Sequence, residues 1–437
     1  MSRSGPAASA ASIDAALTRL ARDDGSRVLA LLARQYGDLD LADEAVQDAL
    51  TEAARSWPTG GVPDNPAGWL MSVARNKAID RLRRAASARR RTLAAAPDLA
   101  VFAGPADGSV GGPGDRFESA LIDDANHIAD ERLRLVLLCC HPALNRDTQV
   151  VLTLRLVGGL TTPEIAAAFL LPPATVAQRI VRAKRKIRDA RIPLNLPAEL
   201  SERLDAVLGV LYLIFNEGYL SRGAGEESVR TDLADEAIRL SLLIDTLLPG
   251  EPEVQGLIAL ELFHRARSAA RIDRSGDLVL LEDQDRSQWD LRLIEQGNMF
   301  LHRALIRMQP GPYQVQAAIA AQHANARTAD DTDWPTIVAL YQQLSAMTGS
   351  PVVALNHAVA VGMADGPNAG LALIDGVTGV EDYHLLHAAR AELAGRAGDA
   401  ATAADAYRRA ISLTDNPAEQ RHLRRRLDAL GSSGPRP

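Results

Sequence analysis

The sequence predicts an all-α protein: two small helical domains joined by a flexible linker, the second carrying a helix-turn-helix, then a long helical-repeat extension. Three observations carry this. Apolar residues recur at three- and four-residue spacing along nearly every patterned segment, and strand-like alternation is scarce. At 437 residues the chain exceeds one ordinary domain. Its charge is also uneven. The formal net charge is −7, yet Arg75–Arg91 (RNKAIDRLRRAASARRR) holds eight basic residues and one acid. Ala174–Arg191 (ATVAQRIVRAKRKIRDAR) holds seven basic residues and one acid. These windows take 15 of the 48 basic residues, leaving 33 bases against 53 acids elsewhere. An acidic body with two positive patches predicts contact with a polyanion at two places.

Residues 1–23 read as a disordered or short tail, and MSRSGPAASAAS lacks the apolar core of a signal peptide. Residues 24–90 form the first domain. Two helical stretches between Asp24 and Trp57 are split near GDLDLADE, and the turn-rich WPTGGVPDNP follows. A helix then runs from about Ala67 to Arg84, with Asn65 before Pro66 as its start signal. Residues 91–121 are rich in Ala, Gly, Pro and Ser without sustained periodicity, the composition of a flexible linker. Helical periodicity resumes near Ile122, giving a second domain over 122–192. IPLNLP breaks the pattern at Pro193 and Pro197, and the extension occupies 193–437.

Within the second domain, TTPEIAAAFLLPPATVAQRIVRAKRKIRDAR has the layout of a helix-turn-helix. Thr161 and Glu164 fit a capping box, the prolines of LLPP end the first helix, and a second begins near Ala174. On that second helix Val176, Ile180, Ala183 and Ile187 share a packing face. Thr175, Gln178, Arg179 and Arg182 lie on another face near the N-terminal end, which enters the major groove in such motifs. Gln and Arg suit paired hydrogen bonds with adenine and guanine edges. Lys184, Arg185, Lys186, Arg188 and Arg191 lie further along, where phosphates would be met.

In the extension, GDAATAADAYRRAISL places Ala403, Tyr407 and Ala410 at the spacing of the second helix of a tetratricopeptide unit, and 34 residues upstream Ala369 and Leu373 occupy matching positions. Other chemistry is excluded or unsupported. Cys139 and Cys140 are adjacent in an apolar run, which suits buried small hydrophobes rather than a disulfide framework or zinc site. No glycine-rich phosphate loop and no HExxH is present; His384 and His387 lack placed carboxylates; Glu282, Asp283 and Asp285 lack calcium-loop spacing and read as a capped turn. The expectation is a non-enzymatic protein without cofactor or metal. No apolar run is long enough for a membrane span, so a cytoplasmic location without membrane contact is expected.

NPAGWLMSVARNKAIDRLRR resembles the promoter-melting region of extracytoplasmic-function (ECF) RNA polymerase sigma factors. Upstream, DLADEAVQDALTEAARSW is similar to the helix by which that family grips the polymerase clamp; downstream, the helix-turn-helix ending in RAKRKIR resembles its second domain. LCCHPALNRDTQVVLTLRLVGGLTTPEIAAAFL, LYLIFNEGY, LLEDQDRSQWD and PGPYQVQAAIAA are similar to the subgroup with a tetratricopeptide-like extension.

The resemblance implies a factor that binds bacterial core RNA polymerase and directs promoter recognition and strand opening. It assigns Asp43, Glu44, Gln47 and Asp48 to polymerase. Arg75, Asn76, Lys77, Asp80, Arg83 and Arg84 are assigned to the −10 element. Thr175, Gln178, Arg179, Arg182, Lys184, Arg185 and Lys186 are assigned to the −35 element. Trp69, in an apolar stripe, reads as core rather than a stacking platform. LLPPAT departs from the family's commoner glycine-bearing turn, which bears on the entry angle of the second helix. The acidic extension is expected to tune promoter use or to meet a protein partner. The alternative is a helix-turn-helix regulator with a ligand- or protein-sensing repeat domain, which leaves the segment from Asp43 to Arg84 unexplained.

Overall fold

The computed structural model describes residues 10–95, 125–169, 171–192, 200–219, 231–273, 277–414 and 416–432. Among them no strand is present beyond one isolated bridge between Ile272 and Leu278. The chain divides into two compact units, 1–210 and 211–437.

The first unit opens with α1 (Ala10–Arg19), which passes through a π-turn at Leu20–Asp24 into α2 (Gly25–Tyr36). The tail expected over 1–23 is therefore helical from Ala10. Ile13 and Leu20, 6% and 2% exposed, give it an apolar anchor. Gly37, with φ +66°, closes α2 in the left-handed conformation that glycine tolerates. Asp38 then caps α3 (Leu39–Gly60) by accepting from the Leu41 amide at 3.0 Å. Asn65 likewise accepts from the Gly68 amide at 2.9 Å and starts α4 (Pro66–Ala95).

That last helix runs eleven residues beyond the expected Arg84. Ala and Arg are strong helix formers and carry it on without apolar periodicity. Most of the expected linker lies outside the described residues. Trp69 is half-buried, edge-on to buried Trp57 with ring centroids 5.5 Å apart.

The other helices of this unit are α5 (Ala125–Cys139), α6 (Arg146–Leu156), α7 (Thr162–Ala168) and α8 (Pro173–Asp189). Cys139 and Cys140 are free and buried at the end of α5, and burial pushes the Cys140 thiol up to about 12. The unit boundary falls within α9 (Leu200–Tyr219).

The second unit continues through α10 (Thr231–Leu247), α11 (Pro252–Ala266), α12 (Leu291–Leu305), α13 (Pro312–Asn325), α14 (Trp334–Thr348) and α15 (Pro351–Ala364). It ends with α16 (Pro367–Ile374), α17 (His384–Arg396), α18 (Ala400–Leu413) and α19 (Pro417–Ser432). Ala259, Phe263, Trp289, Ile294 and Ala317 form one of its cores. Between α11 and α12 the acidic segment is a capped turn. Asp285 accepts from the Ser287 amide at 3.0 Å, and Asp290 caps α12 by accepting from the Arg292 amide at 2.9 Å.

The repeat register needs a correction. Ala403, Tyr407 and Ala410 are buried as the pattern requires, but upstream it is Gly370 and Ile374 that are buried, while Leu373 is 42% exposed. The repeat is thus one residue shorter than the sequence spacing suggested. A Cβ on Gly370 would come within 2.7 Å of the Gly362 Cα and 2.8 Å of the Ala358 carbonyl. The helices meet there at backbone contact, which only glycine allows.

Candidate nucleic-acid interface

The site is built on α7 and α8. The capping box forms in both directions: the Glu164 amide donates to Thr161 Oγ1 at 3.3 Å, and the Thr161 amide donates to Glu164 Oε2 at 2.6 Å. Phe169 ends α7, Pro172 takes an extended conformation as the next cap, and Pro173 occupies the first position of α8. Proline is suited to that position, since its fixed φ is helical and its missing N–H is not needed. Two prolines thus make the turn between the helices. Val176, Ile180, Ala183 and Ile187 are all buried, as the apolar stripe predicted.

The opposite face of α8 is open. Gln178, Arg182 and Arg185 are exposed at helical spacing, with Val181 between them at 56% exposure. Thr175 is half-buried. Arg179 is half-buried and pairs with Asp147 at 3.3 Å. Lys186 is exposed and its ammonium donates to the Ala143 carbonyl. Lys184 is different. It is 8% exposed, and its Nζ stands 2.5 Å from Asp43 Oδ2 and 3.5 Å from Asp40.

A second cationic face runs along α4. Asn76, Asp80, Arg83 and Arg84 are exposed; Arg75 and Lys77 are half-buried. Lys77 reaches Glu52 at 3.4 Å, and the Asp80 carbonyl accepts from Arg84 Nε at 3.2 Å. Arg83 lies 3.9 Å from the Asp80 carboxylate. Mixed polar and cationic groups on one long helix can hold separated bases and backbone together.

The acidic residues of α3 are already engaged. Arg81 donates to Asp48 at 2.8 Å and to Glu44, so both carboxylates face α4, and these acids hold the Arg81 guanidinium above its ordinary range. Sequence reasoning missed Arg81, although Glu44 and Asp48 stand one turn apart, as do Lys77 and Arg81, a pattern that signals cross-helix pairing. Gln47 is half-buried beside a cleft shared with Thr161 and Glu164.

Asp43 is 5% exposed beneath Lys184, with Arg155 at 3.9 Å. Arg188 adds a contact to Asp40 at 2.9 Å. Elsewhere in the unit, buried Glu131 of α5 accepts from Arg34 and, at 2.9 Å, from Arg134. The structure therefore brings together Asp43 and Lys184, which the resemblance assigns to different partners. No cluster suited to a metal ion occurs among the described residues, and none of their helices is long and apolar enough to cross a membrane.

Comparison with known proteins adds to this geometry. Residues 20–88 match the sigma-70 region 2 family, residues 134–187 match sigma-70 region 4, and residues 203–305 match a family of unknown function, DUF6596. An uncharacterised protein of Rhizobium meliloti (strain 1021) is 43% identical over 93% of this chain and 94% of its own length. The probable ECF RNA polymerase sigma factor SigI of Mycobacterium tuberculosis, with the same values in two strains, is 30% identical over 38% of this chain and 52% of its own. No solved structure gives a significant match.

Proposed function

We propose that this chain, whose residues 20–88 and 134–187 match sigma-70 regions 2 and 4, is a sigma factor of the ECF type that binds core RNA polymerase and reads and opens promoters through two separate helices. Gln178 and Arg182, with Thr175 and Arg179 beside them, meet base edges of the −35 element; Arg185 and Lys186 meet phosphates. Arg75, Asn76, Lys77, Asp80, Arg83 and Arg84 on α4 hold the melted −10 strand. Glu44, Gln47 and Asp48 present a polar surface to the polymerase, and Asp43 and Lys184 join their partners once parted from each other. The C-terminal extension modulates this activity.

The observation that carries the reading is the doubly closed capping box and two-proline turn, which leave Gln178, Arg182 and Arg185 in one exposed row. Purified core polymerase, the protein and genomic DNA test it by mapping transcript starts. Starts that share two spaced sequence elements are expected. Starts no different from those of core enzyme alone would refute it. Deleting residues 198–437 is expected to change transcription from the promoters so found, and unchanged output would remove the extension from the mechanism.

A further inference from the structure

The helical extension contains a cavity of about 590 Å³, walled by α9, α11, α13, α14, α15 and the Leu281–Trp289 segment. That size is ordinary for sites of drug-sized molecules. The walls are largely apolar and aromatic, with Phe263, Trp289, Ile319, Tyr341 and Val353 among them. His264, His323 and Tyr341 are uncharged at neutral pH. Burial holds His264 well below the usual imidazole range, burial with Arg267 and Arg286 brings His323 to about 4, and burial pushes the Tyr341 phenol up to about 12. Arg267 is already engaged, with its Nη2 2.7 Å from His264 Nδ1. No aspartate or glutamate stands among the described lining residues. One donor on the wall is unused. Trp289 is 6% exposed, and its indole Nε1 has no hydrogen-bond partner, a state seldom left in a buried group.

The aromatic rings are held before any ligand arrives. Arg286 donates to the carbonyls of His323 at 2.7 Å and Ala326 at 2.8 Å, and its guanidinium carbon stands 4.5 Å over the Trp289 ring, which fixes the indole plane. A Cβ on Gly297 would come 2.8 Å from the Phe263 ring, so α12 presses that ring into place. The LLEDQDRSQWD segment thus supplies one side of the cavity and its spare donor.

We infer that this cavity binds an uncharged aromatic molecule bearing a carbonyl oxygen, its flat body lying against Phe263 and Tyr341 and its oxygen accepting from Trp289 Nε1. Aromatic walls bury a flat ring over a large area, and the carbonyl relieves the cost of an unmade hydrogen bond. A charged ligand would shed its water against apolar walls that offer it no carboxylate and whose guanidinium already contacts His264. Preformed walls lower the ordering cost of binding. The site stands independently of promoter recognition.

Calorimetric titration of the full chain with 2-acetylnaphthalene, its carbonyl-free counterpart 2-ethylnaphthalene and the anion 2-naphthoate tests this. Saturable 1:1 binding of the ketone is expected, with the anion weaker. Trp289→Phe keeps a ring on the wall but removes the donor. It is expected to lower the affinity ratio of ketone to hydrocarbon by about fivefold or more, since one hydrogen bond is lost. With the indole nitrogens isotope-labelled, the Trp289 N–H signal is expected to move downfield on saturation with the ketone and to stay in place with the hydrocarbon. Ala320→Phe, which fills the cavity from α13, is expected to abolish binding of both while circular dichroism stays unchanged. No saturable binding of the ketone up to its solubility limit, or binding untouched by Ala320→Phe, overturns the site. A ratio unchanged by Trp289→Phe overturns the role of the indole. If that variant does not fold, the native spectrum decides, and no indole signal moving downfield on saturation overturns the role equally. Tighter binding of 2-naphthoate than of the ketone overturns the uncharged class.

Discussion

Glu261 on α11 is fully buried, and neither carboxylate oxygen has a hydrogen-bond partner. Burial pushes its carboxyl well above the usual range, and nearby Ser241 offsets only part of this. An acid raised in the folded state lowers stability as pH rises from about 4.3, the unfolded value, through the folded one. Glu261→Gln is expected to flatten that slope and to stabilise the protein at pH 8 by about 1–3 kcal/mol, read from urea unfolding. His323 has the opposite sign. Its folded value of about 4 lies below the ordinary 6.5, so its contribution is complete above pH 6.5 and is lost as pH falls toward 4. Thermal unfolding across that window is expected to be less pH-dependent in His323→Phe; an unaltered profile would mean the imidazole is not held neutral. Neither effect was legible in the sequence, because both depend on which distant helices exclude water. Chemical type was legible on α8, where glutamine and arginines announce an exposed polar face. Which cation is free was not: Lys184 and Arg185 are neighbours, yet one is buried and the other open.

Helices were the most readable level, since periodicity and caps act within a few residues. The capping box at Thr161 is an example, and Thr161→Ala is expected to cost about 1 kcal/mol in chemical denaturation. If α7 were held only by its packing, that substitution would be silent. The far end of α4 and the first helix were missed for a common reason. Alanine-rich sequence with polar neighbours looks like linker when apolar spacing is the only guide, although its helix propensity is high. The repeat register failed differently. Ala369 and Gly370 are both small, and the choice between them is made by contact with Gly362 and Leu393 on other helices. Gly370→Ala is accordingly expected to destabilise the extension by about 1–3 kcal/mol through overpacking, whereas Ala369→Gly costs less than about 1 kcal/mol.

The division at residue 210 separates two sets of consequences. In the first unit, Lys184→Met strands the Asp43 carboxylate, leaving Arg155 at 3.9 Å as its cation among the described residues. Its expected cost is toward the lower end of about 3–5 kcal/mol, and pairing it with Asp43→Leu recovers most of the loss. A double variant whose loss equals the sum of the two single losses would show that the ion pair contributes nothing. The order of segments, their helical class and both cationic windows could be read from the sequence. The meeting of α3 and α8 could not, because 141 residues separate Asp43 from Lys184 and no local pattern encodes it. That meeting has a thermodynamic consequence. Lys184 is 8% exposed against Asp43 and reaches a phosphate only by leaving that pair, so on the proposed roles a promoter that draws Lys184 away sets Asp43 free. Whatever enzyme surface claims Asp43 liberates the lysine in turn. On those proposed roles, occupancy of either side tightens the other by an equal factor, a mutual reinforcement between promoter and enzyme.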